Sequence, residues 1–180
     1  MNFSSAWKRN FRKLYDAIPS QRIGRFEIIK VNSELFLIEH SDDLVVWMAI
    51  CPEDESKLYL PFYQSCSLLS EGNVLIGGLG LGCDLLNIAS INAVLDIVVI
   101  EKNQEVIDLV WPYIPHNKTK LVQGDINDFL SVTDNLFDIV YFDINPGGMG
   151  AFPETSNRLS NLSKRCLKSG GKVMFWEEFV

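Results

Sequence analysis

"NVLIGGLGLGCDLLNIA" (Asn73–Ala89) runs from an apolar stretch through three alternating glycines, Gly78, Gly80 and Gly82, into a segment with helical spacing. A strand, a bare turn and a helix start in that order present backbone N–H groups at the positive end of a helix dipole, where a ligand meets no Cβ. Tight strand-to-helix turns also use glycine for packing alone, so the pattern takes its meaning from the segments downstream in the chain.

Three more segments end in acidic residues. "VVIEKNQEVIDLV" (Val98–Val110) puts Glu101 at the end of an apolar strand about twenty residues beyond the glycines, where a carboxylate accepts hydrogen bonds from both hydroxyls of a ribose. The competing role is a cap for the helix starting near Asn103. "LVQGDINDFL" (Leu121–Leu130) places Asp125 and Ile126 after Gly124, a carboxylate for an exocyclic amine beside an apolar side chain that stacks on adenine. An N-cap is the alternative for Asp125, and the two roles are compatible. "FDIVYFDINPGG" (Phe137–Gly148) leaves Asp143 before a turn-forming loop, where it steers the charged group of a cofactor, acts on a nucleophile or starts the turn. Lys102 and Gly124 complete the candidate cofactor-binding set of Gly78, Gly80, Gly82, Glu101, Lys102, Gly124, Asp125, Ile126 and Asp143. Asp143 is the candidate catalytic residue.

From Asn73 onward, strands are expected at Val74–Gly77, Leu95–Ile100, Lys120–Val122, Asp138–Phe142 and Lys172–Phe175. Helices are expected at Asp84–Ser90, Gln104–Tyr113, Ile126–Leu130 and Glu154–Leu167. Near-continuous apolar strands separated by helices give a doubly wound parallel sheet covered on both faces. Ahead of it the texture differs. Helical spacing covers Phe3, Trp7, Phe11, Leu14 and Ile18, and "RFEIIKV" (Arg25–Val31), "ELFLIEH" (Glu34–His40) and "LVVWMAI" (Leu44–Ile50) read as an antiparallel meander. Pro61 starts a short further helix. The chain is thus expected to divide into an appendage, residues 1–60, and a Rossmann-like domain, residues 61–180.

The 180 residues carry a formal charge of −7, but residues 1–30 hold seven basic and two acidic side chains. That basic arm allows attraction to nucleic acid or an anionic membrane surface; it also suits an amphipathic helix with its charges in water, or a targeting peptide. No apolar run approaches the ~20 residues of a membrane span. Cys51, Cys66, Cys83 and Cys166 form no CxxC pair and no ligand spacing with His40 or His116, so reduced thiols of a cytoplasmic protein without a metal site are expected.

On these motifs, residues 73–176 resemble the class I S-adenosylmethionine-dependent methyltransferases, and most closely the spermidine synthase branch. "VLIGGLGLG" (Val74–Gly82) stands as the first motif and "LKSGGKVMFW" (Leu167–Trp176) as the fifth strand with its turn. Ile76, two places before Gly78, occupies a position that is acidic in many methyltransferases but not in that branch. The β-rich segment ahead of the glycines is similar to the branch's N-terminal appendage. A nicotinamide-binding Rossmann domain is the rival, and Gly124-Asp125 favours the methyltransferase side. The resemblance implies S-adenosyl-L-methionine as cofactor and methyl transfer to a small-molecule acceptor; Tyr59, Phe62 and Tyr63 are candidates either for the acceptor wall or for the core. Aminopropyl transfer to a polyamine and a catalytically inactive scaffold are the alternatives. Leu81 in the glycine loop and Ile144-Asn145-Pro146 after Asp143 replace residues that spermidine synthases use, which counts against polyamine synthesis. A nucleic-acid acceptor is not favoured, because "DINPGG" lacks the second proline and the aromatic of a base-methylation motif. The family fold normally adds elements after the fifth strand, where this sequence stops, so the N-terminal meander, a second subunit in a homo-oligomer or a partner protein is expected at that edge.

Overall fold

The computed structural model describes residues 3–50, 71–144 and 153–175, with side chains from residue 8 onward. Helix α1 (Phe3–Ala17) is followed by an antiparallel sheet of β1 (Gln21–Ile23), β2 (Phe26–Val31), β3 (Glu34–His40) and β4 (Leu44–Ile50), adjacent in chain order. The sheet has one strand more than expected. Strand β1 is three residues long and pairs Ile23 with Phe26 across a tight turn, too short for alternation to be read. The next hairpin turns at Asn32 and Ser33, with φ of 49° and 69°, the mirror-image turn that matches strand twist.

A parallel sheet comes next, built from β5 (Gly72–Gly77), β6 (Val94–Glu101), β7 (Thr119–Gln123), β8 (Phe137–Phe142) and β9 (Leu167–Phe175) in the order β7-β6-β5-β8-β9. Between the strands run α2 (Cys83–Ala89), α3 (Gln104–Val110), α4 (Ile126–Val132) and α5 (Pro153–Ser163). Short 3₁₀ turns at Trp111–Tyr113 and Lys164–Cys166 extend α3 and α5. Strand β9 begins five residues earlier than expected and α5 stops short of Leu167. The "LKSGG" segment reads as a turn in sequence, yet it is strand with a register shift opposite Phe137 and Ile139, the irregularity that glycines permit within a strand.

Alternation explains how both sheet faces are buried. Val74, Ile76, Ile97, Val99, Ile139, Tyr141 and Met174 face one apolar cluster, while Leu75, Ile100, Val140, Phe142 and Phe175 face another with Ile126, Leu130 and Leu159. The first cluster also takes in Phe11, Leu14 and Ile18 of α1 and Phe26, Ile28, Leu35 and Leu37 of the meander. One core therefore serves both halves of the chain. The polar face of α1 leaves Lys8, Arg9, Arg12 and Lys13 exposed, while the Asn10 amide donates to Asn87 Oδ1 on α2 at 3.0 Å.

The strand order reverses between β5 and β8, which opens a crevice at the carboxyl ends of the strands. No helix among the described residues is long and apolar enough to cross a membrane. The helix expected at Pro61, the candidate wall of Tyr59, Phe62 and Tyr63, the Asn145–Gly148 loop, and Cys51 and Cys66 lie outside the described residues.

At the opposite end of the sheet, the Asp138 carboxylate accepts from the Asn73 N–H at 2.7 Å and from Lys168 Nζ at 2.6 Å, joining β8 to both neighbours. The Lys168 ammonium, then the Asn73 N–H, hold its pKa below the usual carboxylate range. A lowered folded-state pKa adds stability that is present above the unfolded value and lost as pH falls through the folded one. Asp138→Asn should therefore cost about 1 kcal/mol at pH 7, a modest figure because the pair is partly exposed. In urea melts the deficit should shrink below about pH 4, and an equal deficit at pH 7 and pH 3 contradicts the charge-assisted role.

Candidate functional site: a hollow at the carboxyl ends of the parallel strands

Each strand delivers its end residue to the crevice by backbone hydrogen bonds. The Gly78 N–H donates to the Ile100 carbonyl at 2.9 Å, the Gly124 N–H to the Glu101 carbonyl at 2.9 Å and the Asp143 N–H to the Gly77 carbonyl at 3.0 Å. The ends of β5, β6, β7 and β8 are thereby stitched into one rim around a hollow of about 340 Å³.

Of the residues singled out in the sequence, Gly78, Gly80, Glu101, Lys102, Gly124, Asp125, Ile126 and Asp143 line this hollow. Gly78 has φ +97°, and a Cβ there would collide with the Asp143 carbonyl. Gly80 has φ +50°, and a Cβ would lie 2.9 Å from the Met48 methyl group. The positive φ favours glycine at both positions; at Gly78 the backbone contact demands it as well, whereas at Gly80 the neighbour is the flexible end of Met48. Gly82 departs from the expectation: a Cβ on it would meet Ile114 and Val110, outside the lining. It lets α2 approach the end of α3, which is a packing role. Leu81 is fully buried in the core.

Glu101 is 7% exposed. Its Oε2 accepts from the Leu79 N–H at 2.9 Å, and its Oε1 accepts from the Asn103 N–H at 2.8 Å and from Asn103 Nδ2 at 3.3 Å. The carboxylate thus clamps the glycine loop to the start of α3. An ionised carboxylate has about four acceptor sites, so Oε2 retains capacity for a further donor.

Asp125 is the N-cap of α4. Its Oδ1 accepts from the Asn127 N–H at 2.8 Å and from Asn127 Nδ2 at 2.7 Å, while Oδ2 pairs with Lys102 Nζ at 3.1 Å. The Asn127 amide foremost, with the Asn127 N–H and Lys102, keeps the Asp125 carboxyl below its ordinary range against the opposing pull of burial. It is ionised at neutral pH.

Sequence reading missed the opposite wall. Phe26, Leu37, Trp47 and Met48 of the antiparallel sheet line the hollow, as does Arg158 of α5. Trp47 and Met48 are consecutive, and alternation would send them to opposite faces. A β-bulge resolves this: Leu37 pairs with Met48 and Ile38 with Val46, which leaves Trp47 as the extra residue. Met48 Sδ also accepts from the Leu81 N–H at 3.3 Å, so the meander grips the glycine loop directly. No group of three or more metal-ligating side chains occurs among the described residues.

No protein-family model and no curated protein matches the sequence. Solved structures do. The spermidine synthase of Thermotoga maritima aligns with 82% of this chain and 56% of its own, at 15% identity and a TM-score of 0.55. A spermidine synthase in complex with the transition-state analogue AdoDATO aligns with 83% of this chain and 57% of its own, at 16% identity and 0.58. For an SAH-bound methyltransferase from Podospora anserina the values are 71%, 53%, 14% and 0.50. The chain spans a little over half the length of these three structures. At such identities the likeness is one of fold, and the fold is that of the class I methyltransferases and spermidine synthase.

The clamp makes a prediction that needs no ligand. Glu101→Ala leaves the Leu79 and Asn103 backbone N–H groups and the Asn103 side-chain amide without their acceptor and should destabilise the protein by roughly 2 to 4 kcal/mol. Urea unfolding of the variant with an unchanged midpoint and slope would refute the clamp.

Proposed function

We propose that the hollow binds S-adenosyl-L-methionine and that the chain is a transferase acting on a small-molecule acceptor, with methyl transfer as the reaction. The observation that carries this reading is the buried Glu101 carboxylate sharing one hollow with Gly80 and Asp125. Glu101 would take ribose hydroxyls through the remaining capacity of Oε2. Asp125 would take the adenine amine, with Ile126 against the ring. The bare backbone of Gly78 and Gly80 would border the methionine end, and Lys102 would hold the second carboxylate oxygen of Asp125 in place.

The sulfonium of that cofactor supplies its own leaving group, so the protein's task is to align an acceptor in line with the methyl carbon and exclude water. Trp47, Phe26, Leu37 and Met48 supply an apolar wall suited to exclusion. Asp143, at the switch point of the strand order, would orient the acceptor or take its proton. The division into an appendage and a Rossmann-like domain belongs to the same proposal, with the appendage acting as the cover of the hollow. Leu81, buried in the core, supports methyl over aminopropyl transfer, because the loop offers no acidic side chain for a cationic substrate.

Thermal unfolding with different ligands tests the reading, since a ligand that binds only the folded state at a hundred times its Kd stabilises by about 2.7 kcal/mol. S-adenosylmethionine and S-adenosylhomocysteine should both raise the Tm. A larger shift with decarboxylated S-adenosylmethionine would replace methyl by aminopropyl transfer, and a shift with NAD alone would overturn the cofactor assignment. Gly80→Val should abolish the shift, because a branched side chain at that φ meets Met48 and intrudes on the loop; undiminished calorimetric binding by the folded variant would contradict the loop's role.

A further inference from the structure

The aromatic wall and the ribose-side carboxylate belong to different sheets, yet a run of hydrogen bonds and one ion pair joins them. Trp47 Nε1 donates to Glu39 Oε2 at 2.7 Å. Arg25 Nε pairs with Glu39 Oε1 at 3.3 Å, and Arg25 Nη2 donates to Asn103 Oδ1 at 2.9 Å. Asn103 donates to Glu101, which holds the Leu79 N–H of the glycine loop. Trp47, Asn103 and Glu101 line the hollow, whereas Arg25 does not.

We infer that Arg25 is a positioning residue of the hollow: one guanidinium fixes the Trp47 wall through Glu39 and the Glu101 carboxylate through Asn103, so that both hold a single geometry. This rests on the reading of the hollow as an adenosine site. Its chemistry comes from the planar fork of the guanidinium, whose nitrogens reach acceptors in two directions at once; an ammonium is a point charge that would satisfy Glu39 or Asn103 but not hold the two in register. The Arg25 side chain is 53% exposed, and ion pairs of that exposure add little to stability. Its role is therefore geometric. By engaging Asn103 Oδ1, Arg25 turns the other end of that amide, Nδ2, toward Glu101 Oε1 at 3.3 Å. The orientation of one exposed side chain thus sets which face of Asn103 meets the ribose-side carboxylate.

The full chain labelled with 5-fluorotryptophan, with the Trp47 resonance assigned by its loss in Trp47→Phe, gives the readout in fluorine NMR, alongside calorimetric titration with S-adenosylhomocysteine. In the ligand-free protein, Arg25→Ala should move the Trp47 resonance toward the position of a solvent-exposed indole, and it should weaken binding about tenfold. Arg25→Lys should stay within about threefold of the alanine variant. An unchanged Trp47 resonance in Arg25→Ala overturns the inference, as does near-wild-type affinity in either variant, even if the Tm falls. If the wild type itself binds no S-adenosylhomocysteine, the cofactor reading fails, and the ligand-free Trp47 resonance still decides whether Arg25 positions the wall.

Discussion

A carboxylate almost removed from water must be surrounded by donors, and at Glu101 those donors are the backbone of the glycine loop and the first residue before α3. This interaction is what the rest of the crevice depends on. Glycine backbone has unusual conformational freedom, and a loop holding three glycines in positive φ loses much entropy on ordering. The hydrogen bond from Leu79 to Glu101 and the contact of the Leu81 N–H with Met48 restrain that loop from two sides. Because a carboxylate offers more acceptor sites than the loop uses, the side chain that orders the loop also keeps acceptor capacity while lining the hollow.

The second constraint is the cover. An open parallel sheet leaves its carboxyl edge to solvent unless something roofs it, and here the antiparallel sheet does so with Phe26, Leu37, Trp47 and Met48. The roof is held in place by burial, since strands β2 and β3 share an apolar cluster with β5, β6 and helix α1. Burial sets the position of the sheet only broadly; hydrogen bonds and an ion pair through Glu39, Arg25 and Asn103 link the side chains that face the hollow. Apolar area thus joins the two halves, and directional polar contacts set their detail.

How much of this was legible in sequence depends on the range over which each signal acts. Strand-end acids such as Glu101, Asp125 and Asp143 were readable because apolar runs mark the strands and parallel topology sends all their ends to one side. Glu101 and Asp125 each carried an alternative reading as a helix cap; Asp125 does cap α4, whereas Asn103 is the N-cap residue of α3 and Glu101 accepts from its backbone N–H. Gly82 read like Gly78 and Gly80, because spacing does not tell which glycine lines the hollow and which faces Ile114. Trp47 beside Met48 was illegible, since a one-residue bulge reverses the face of everything after it. Arg158 and Arg25 were missed for another reason: each meets the hollow or its relay across a tertiary gap, and a solvated arginine looks the same in sequence. Strand β9 was read too short because Gly170-Gly171 signals a turn wherever local preference alone is consulted.

The claim at the centre of this account is that an adenosine group fits against the Glu101 clamp, and a crystal structure of the full chain with S-adenosylhomocysteine tests it most directly. The account predicts the ligand in the hollow, its ribose hydroxyls within about 3 Å of the Glu101 carboxylate and its adenine against Ile126, with the Leu79 hydrogen bond still in place. A structure at saturating ligand in which the hollow stays empty, or in which the ligand lies elsewhere, would contradict it.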